Sequence, residues 1–126
     1  IEELFSLKGK SSVVTGGASG IGEGIVKRLA EVGSSVIVAD IDMKKAKEIA
    51  YKTNGIPVKV DISNKTSVKT MINKVLCQVN EVDILVNNAG IQHVSPVEEF
   101  PEDKWRSIMY INLTASFLTI KGYFHR

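Results

Sequence analysis

Apolar and polar positions follow two rhythms along this chain. Residues 11–15, Ser-Ser-Val-Val-Thr, form a compact run rich in β-branched side chains that stops at Gly16-Gly17-Ala18-Ser19-Gly20. From Ile21 the spacing becomes helical, with Ile21, Ile25, Leu29 and Val32 on one face, and Gly33 follows as a left-handed C-terminal cap. Residues 35–39, Ser-Val-Ile-Val-Ala, are nearly all apolar, as expected of a parallel strand covered on both sides, and Asp40 closes the run. A lysine-rich helix over 42–53 turns Ala46, Ile49 and Ala50 inward and ends at Asn54-Gly55. A third strand over 56–60 leads through Asp61 and Ser63, read as a turn and helix cap, to a helix whose buried face is Val68, Met71, Ile72, Val75 and Val79. A fourth strand over 82–86 passes into the polar loop Asn87-Asn88-Ala89-Gly90. Beyond Pro96 and Pro101 a last helix runs from about 102 to 121, with Trp105, Ile108 and Ala115 on one side.

Four strand-then-helix repeats predict an α/β fold with a doubly wound parallel sheet, because right-handed crossovers place helices on both faces. No internal repeat, low-complexity tract or linker interrupts the pattern. A chain of 126 residues, 44% hydrophobic, has room for one modest core, so residues 1–126 are expected to form part of a single domain. The first residue is Ile1, which fits either a processed chain or part of a longer reading frame.

Charge narrows the partners. Sixteen Lys and Arg against fourteen Asp and Glu leave +2, too even for a nucleic-acid binder and better suited to a small-molecule partner. The one cysteine, Cys77, falls among apolar neighbours in a helical segment, so no disulfide framework or metal cluster is expected and a reducing compartment is favoured. No apolar stretch is long enough to span a bilayer, and the N-terminus lacks a secretion-signal layout; the expected location is cytoplasmic, away from membranes.

The strongest chemical signal is Thr15-Gly16-x-x-x-Gly20-x-Gly22, placed where the first strand meets the first helix. Glycines there permit a sharp turn and close approach of a pyrophosphate, while the helix start offers unpaired N–H groups and a positive dipole end. Asp40 ends the second strand eighteen positions after Gly22, where a carboxylate can accept hydrogen bonds from both hydroxyls of an adenosine ribose. The same charge repels a 2′-phosphate, and position 19 is Ser rather than a cation, so NAD is expected over NADP. Asn112 stands in the middle of a helical segment, where Asn is a mediocre former, which suggests that its side chain has a use.

Taken together, the glycine pattern, Asp61 after the third strand and Asn87-Asn88-Ala89-Gly90 after the fourth resemble the short-chain dehydrogenase/reductase family along essentially the whole chain, from Leu7-Lys8-Gly9-Lys10 onward. The resemblance implies a Rossmann-type sheet, incomplete here, with strands one to four present and the C-terminal strands missing. It implies that Gly16, Ser19, Gly20, Ile21 and Gly22 hold the cofactor phosphates, that Asp61 contacts the adenine amino group, and that the backbone of Ile62 helps to hold the ring. Asn87, Ala89 and Gly90 would line the cofactor, and Asn88 would tie neighbouring strands together. Asn112 would belong to a catalytic tetrad, holding a water in a proton relay.

The other tetrad members, a Ser and a Tyr-x-x-x-Lys pair, are not found: Tyr51 is followed four positions later by Gly55 and Tyr110 by Thr114, and the chain ends at Arg126, before that position beyond Tyr123. Carbonyl reduction needs a general acid at the reacting oxygen, so this polypeptide alone is expected to be inactive or nearly so. The missing fifth strand would leave the fourth strand's edge unpaired, and relatives of full length are homo-oligomers, so association or aggregation is also expected. The loop from Ala89 to Pro101, followed by Trp105, is similar to the corresponding stretch of those family members that act on 3-hydroxybutyrate. By that resemblance Gln92 binds the carboxylate of a hydroxy or keto acid, a task suited to a neutral amide donor. His93 and His125, lacking partners at metal-ligand spacing, are read as structural.

Overall fold

The computed structural model describes residues 3–124. Four strands alternate with helices: β1 (Ser11–Thr15), α1 (Gly20–Glu31), β2 (Ser35–Asp40), α2 (Met43–Thr53), β3 (Ile56–Lys59), α3 (Lys65–Gln78), β4 (Ile84–Asn87), α4 (Glu102–Met109) and α5 (Ala115–Phe124), the last two joined by a π-helical turn, Tyr110–Thr114. The strands are all parallel in the order β3-β2-β1-β4. The chain steps outward from β1 to β3, then returns past β1 to place β4 on its other side. This reversal opens a crevice between the loops that leave the carboxyl ends of β1 and β4.

Strand periodicity divides the core in two. Val14, Val36 and Val38 face one side, with Val26 of α1 and Ala46, Ile49 and Ala50 of α2. Val13, Ile37, Ala39 and Val58 face the other, with Val68, Met71, Ile72 and Val75 of α3 and Tyr123 of α5. Each fully buried valine or isoleucine contributes about 1.5–3 kcal/mol through burial, and β1 and β2, flanked on both edges and both faces, hold the most completely buried of them. The two outer strands differ. β3 carries Pro57, which has no N–H to offer another strand, and Lys59, whereas the outer edge of β4 presents Ile84, Leu85 and Val86, half-buried and joined to no strand but β1 among the described residues.

Several sequence expectations are corrected by packing. The buried face of α1 is Gly22 and Val26, flanked by Ile25 and Leu29, whereas Ile21 is 78% exposed. The helix phase is fixed by how closely Gly22 must approach the preceding turn, and Ile21 is rotated outward as a result. Asn64, not Ser63, caps α3, accepting from the Ser67 N–H at 2.9 Å, because Asp61 and Ser63 form their own turn one residue earlier. Cys77 is exposed on the outer face of α3. Val82 is buried but precedes the paired part of β4. The final helix runs without a gap from Glu102 to Phe124, as expected, but the wide π turn at Tyr110–Thr114 shifts its phase, so Ala115 is buried while Trp105 is not. His125 lies outside the described residues.

Gly33 adopts φ +101°, as its predicted capping role requires, and Asn54 fills the same left-handed position after α2. Among the described residues no helix is long and apolar enough to cross a membrane.

Tyr123 yields a test of the core. Its hydroxyl is buried without a hydrogen-bond partner among the described residues, and burial pushes its phenol well above the usual tyrosine value. A stranded polar group of this kind costs about 1–3 kcal/mol, so Tyr123→Phe is expected to hold or raise the thermal midpoint at neutral pH. Because the folded state favours the neutral phenol, this group's contribution is intact below about pH 10 and is lost as pH rises above it. The variant should therefore lose less stability between pH 9 and about 11 than the parent in paired melting curves.

Candidate functional site

At the end of β1 the chain turns through Gly16, at φ +66°, and Gly20, at φ +57°, values that an L side chain rarely adopts. The Gly16 and Gly17 N–H groups donate to the Ala39 carbonyl at 2.8 and 3.3 Å, which hangs the turn on β2. Gly22, in the first turn of α1, packs directly on Gly16: a Cβ there would collide with the Gly16 carbonyl and come within 2.6 Å of the Asn88 Nδ2. Ser19 precedes the helix in an extended conformation, and its side chain makes no capping bond. The first-turn N–H groups of α1 are thus left uncapped by side chains, in the arrangement that suits an anion.

Asp40 is held in place by two backbone donors. The Ala18 N–H donates to Oδ2 at 3.1 Å and the Asp42 N–H to Oδ1 at 3.0 Å. A carboxylate has about four lone-pair sites, so each oxygen can still accept from a further donor. The end of β2 therefore presents a fixed anion with unspent acceptors beside the glycine turn.

Across the crevice, Thr15 organises the loop after β4. Its buried Oγ1 accepts from the Asn88 and Ala89 N–H groups at 3.1 and 3.2 Å, and the Asn88 Nδ2 donates to the Gly16 carbonyl at 3.1 Å. Asn88 joins the two loops, as expected. The Asn87 Oδ1 accepts from the buried Thr119 hydroxyl of α5 at 2.8 Å, and Asn87 is not among the residues that bound the cavity described below. As the last residue of β4 it points opposite to its neighbours, which sends its side chain to the helix layer.

Between these parts lies a cavity of about 370 Å³ bounded by Gly16, Asp40, Ile41, Asp61, Ile62, Ala89 and Gly90, with Val60, Ser63, Ile91 and Ile111 completing its wall. Its volume is at the lower end of the roughly 300–1,000 Å³ typical of small-molecule pockets. Six residues singled out from the sequence converge here: Gly16, Asp40, Asp61, Ile62, Ala89 and Gly90. Ser19, Gly20 and Ile21 are exposed at the adjoining helix start, and Gly22 is buried beneath it. Asp61 accepts from the Ser63 N–H through Oδ1 at 3.0 Å, and its own N–H donates to the Ser67 hydroxyl. Sequence reasoning missed the apolar wall of Ile41, Val60, Ile91 and Ile111. Ile41 carried a signal: an apolar side chain, 61% exposed, immediately after the acidic strand end.

Asn112 lies in the π turn, and both ends of its carboxamide bond to one residue. Oδ1 accepts from the Ile91 N–H at 3.0 Å and Nδ2 donates to the Ile91 carbonyl at 2.9 Å. Gly90 makes this approach possible, since a Cβ there would lie 3.1 Å from the Asn112 Oδ1. Gln92 follows, exposed, with no hydrogen bond among the described residues. His93 packs edge-on against Phe100, consistent with a structural role.

The chain matches the family model for short chain dehydrogenase over residues 10–125. It is 45% identical over 121 residues to the D-beta-hydroxybutyrate dehydrogenase of Cupriavidus necator, covering 91% of this chain and 46% of that one. Among solved structures it resembles a blue fluorescent protein from a metagenomic library in complex with NADPH, with TM-score 0.88 and 30% identity over 94% of this chain and 51% of that one. It likewise resembles a 3-ketoacyl-(acyl-carrier-protein) reductase from Brucella melitensis complexed with NADH, with TM-score 0.86 and 34% identity over 92% of this chain and 49% of that one. The chain spans about half the length of the curated relatives it matches.

The Thr15 hydroxyl is testable as the link between the two loops. Thr15→Val keeps the shape and strands the Ala89 N–H at a cost of about 1–3 kcal/mol, while the Asn88 N–H retains the Val86 carbonyl at 3.1 Å, so a lowered midpoint in urea unfolding is expected. Equal stability of the variant and the parent would remove Thr15 from this role.

Proposed function

This chain belongs to the short-chain dehydrogenase family, and on that premise we propose that it is the NAD-binding N-terminal portion of an oxidoreductase interconverting 3-hydroxybutyrate and acetoacetate. The observation that carries the cofactor reading is the cavity at the switch point, where Asp40 is clamped to the glycine turn by the Ala18 N–H. A dinucleotide fits the residues present. Its diphosphate would lie at the uncapped start of α1, over Ser19, Gly20 and Ile21, where Gly22 keeps the backbone low. Its ribose hydroxyls would donate to the free acceptor sites of Asp40, and its adenine would sit among Ile41, Asp61 and Ile62. Asp40 repels a 2′-phosphate, which favours NAD.

When bound, the nicotinamide supplies hydride transfer. The protein's part is orientation and proton handling. Asn112 fixes the Ile91 backbone at the cavity wall, and Gln92, the next residue, would donate to the substrate carboxylate. The proton at the reacting oxygen needs a group with a matched pKa. The Ser and Tyr-x-x-x-Lys of the family pattern are not among these residues, and the proposal places them in a further segment. The uncovered edge of β4, with neither proline nor charge, is suited to pairing with such a segment. Association through that edge, or through the apolar outer side of α4 and α5, is the partner reading that goes with it.

Calorimetry separates the parts of this reading. NADH is expected to bind more tightly than NADPH, and Asp40→Ser is expected to reduce that preference by about tenfold, a loss near 1.4 kcal/mol. Unchanged discrimination would remove Asp40 from the ribose. Joined to the C-terminal half of a hydroxybutyrate dehydrogenase of the family, the chain is expected to turn over 3-hydroxybutyrate with NAD. Cofactor binding without turnover of either acid by that chimera would refute the substrate assignment and leave a nucleotide-binding unit.

A further inference from the structure

Gln92 sits between two anchors of different chemistry. Upstream, both backbone groups of Ile91 are bonded to the Asn112 carboxamide. Downstream, the His93 ring meets the Phe100 ring edge-on, with centroids 5.2 Å apart and planes at 84°. Phe100 meets Trp105 in the same way, at 6.2 Å and 87°. The Trp105 backbone belongs to the first turn of α4, where its N–H donates to the Pro101 carbonyl at 3.0 Å, and its ring, 57% exposed, stands off that turn. The three rings thus join the loop, residue by residue, to a helix.

Little else holds the loop. Among the described residues the backbone of 92–95 makes no hydrogen bond to a strand or helix. Val94 is 90% exposed and Val97 86%. A cleft of about 500 Å³, bounded by Ser95, Val97, Phe100, Glu102 and Trp105, runs beside the rings, so the segment bridges open space instead of resting on packed core. An edge-to-face pair constrains both distance and angle, because the ring edge and the ring face carry opposite partial charge. An aliphatic residue in the middle of such a stack keeps apolar contact but loses the directional preference.

We propose that His93, Phe100 and Trp105 form an aromatic ladder that positions Gln92 at the rim of the cavity and thereby sets affinity for a carboxylate-bearing substrate. The proposal rests on the reading of Gln92 given above. With Asn112 alone, the Gln92 backbone is tethered on one side. With the ladder it is tethered on both, and only side-chain torsions remain to be frozen when a carboxylate binds. Phe100, half-buried between two partners, is the member whose loss breaks both contacts.

Two measurements on Phe100→Leu test this. Amide hydrogen exchange of the chain is expected to rise about tenfold at Ile91, whose N–H is held by the Asn112 Oδ1 where the loop begins, while β1 and β2 keep their protection. Unchanged exchange at that amide overturns the ladder, and His93→Ala repeats the test should the first variant fold poorly. In the chimera described above, Phe100→Leu is expected to raise KM for 3-hydroxybutyrate by about five- to tenfold with kcat and KM for NAD little altered, and to add nothing in a Gln92→Ala background. An equal rise in that background overturns action through Gln92. Should Gln92→Ala by itself leave KM unmoved, the carboxylate reading falls, while the exchange measurement still decides whether the rings hold the loop.

Discussion

Two loops that leave neighbouring strands on opposite sides of a switch point must be held at one fixed separation, or there is no crevice to bind anything. Three contacts here set that separation. Thr15 brings a buried hydroxyl to the end of β1, and two amides of the β4 loop close on it; the Asn88 carboxamide closes on the Gly16 carbonyl from the other side. Gly22 lets α1 approach closely enough for the turn between them to remain tight. The Thr15 hydroxyl is buried at this junction and must find its partners there, so the alternatives to this arrangement are costly.

The consequences spread outward from that junction. The approach of Gly22 fixes the rotation of α1, which buries Val26 and exposes Ile21 beside the glycine turn. Hanging the turn on Ala39 and Asp40 brings an acidic strand end to the cavity with its geometry already set by backbone donors. Preorganisation of this kind lowers the ordering cost of binding, since the site does not have to assemble around its ligand. On the β4 side, Asn112 extends the same logic: a polar residue in a widened helical turn spends both ends of its amide on one loop residue.

The sheet also distributes stability unevenly. β1 and β2 are sealed on both faces and carry the glycine turn and Asp40, so that side of the cavity stands on the firmest part of the molecule. β4 stands at an edge, with half-buried residues, and the loop it launches is held by a few directed contacts. The β4 side of the cavity is therefore the more easily perturbed one.

How much of this was legible in advance depends on the range of the interaction involved. The strands, the crossover order, Gly33 as a cap and the inward face of α2 follow from local periodicity and backbone preference, which the order of residues encodes directly. The glycine turn, Asp40, Asp61 and the Asn-Asn-Ala-Gly loop were legible too, because each stands at a strand end whose position the topology dictates. What the sequence alone could not decide was settled by contacts between segments far apart in the chain. The phase of α1 depends on a close approach to Gly16, and the carboxamides of Asn87 and Asn112 find their partners at Thr119 and Ile91, 32 and 21 positions away. Periodicity measures only which face of an element is apolar; which of two such faces is buried, and which polar group meets which, is fixed when the layers pack.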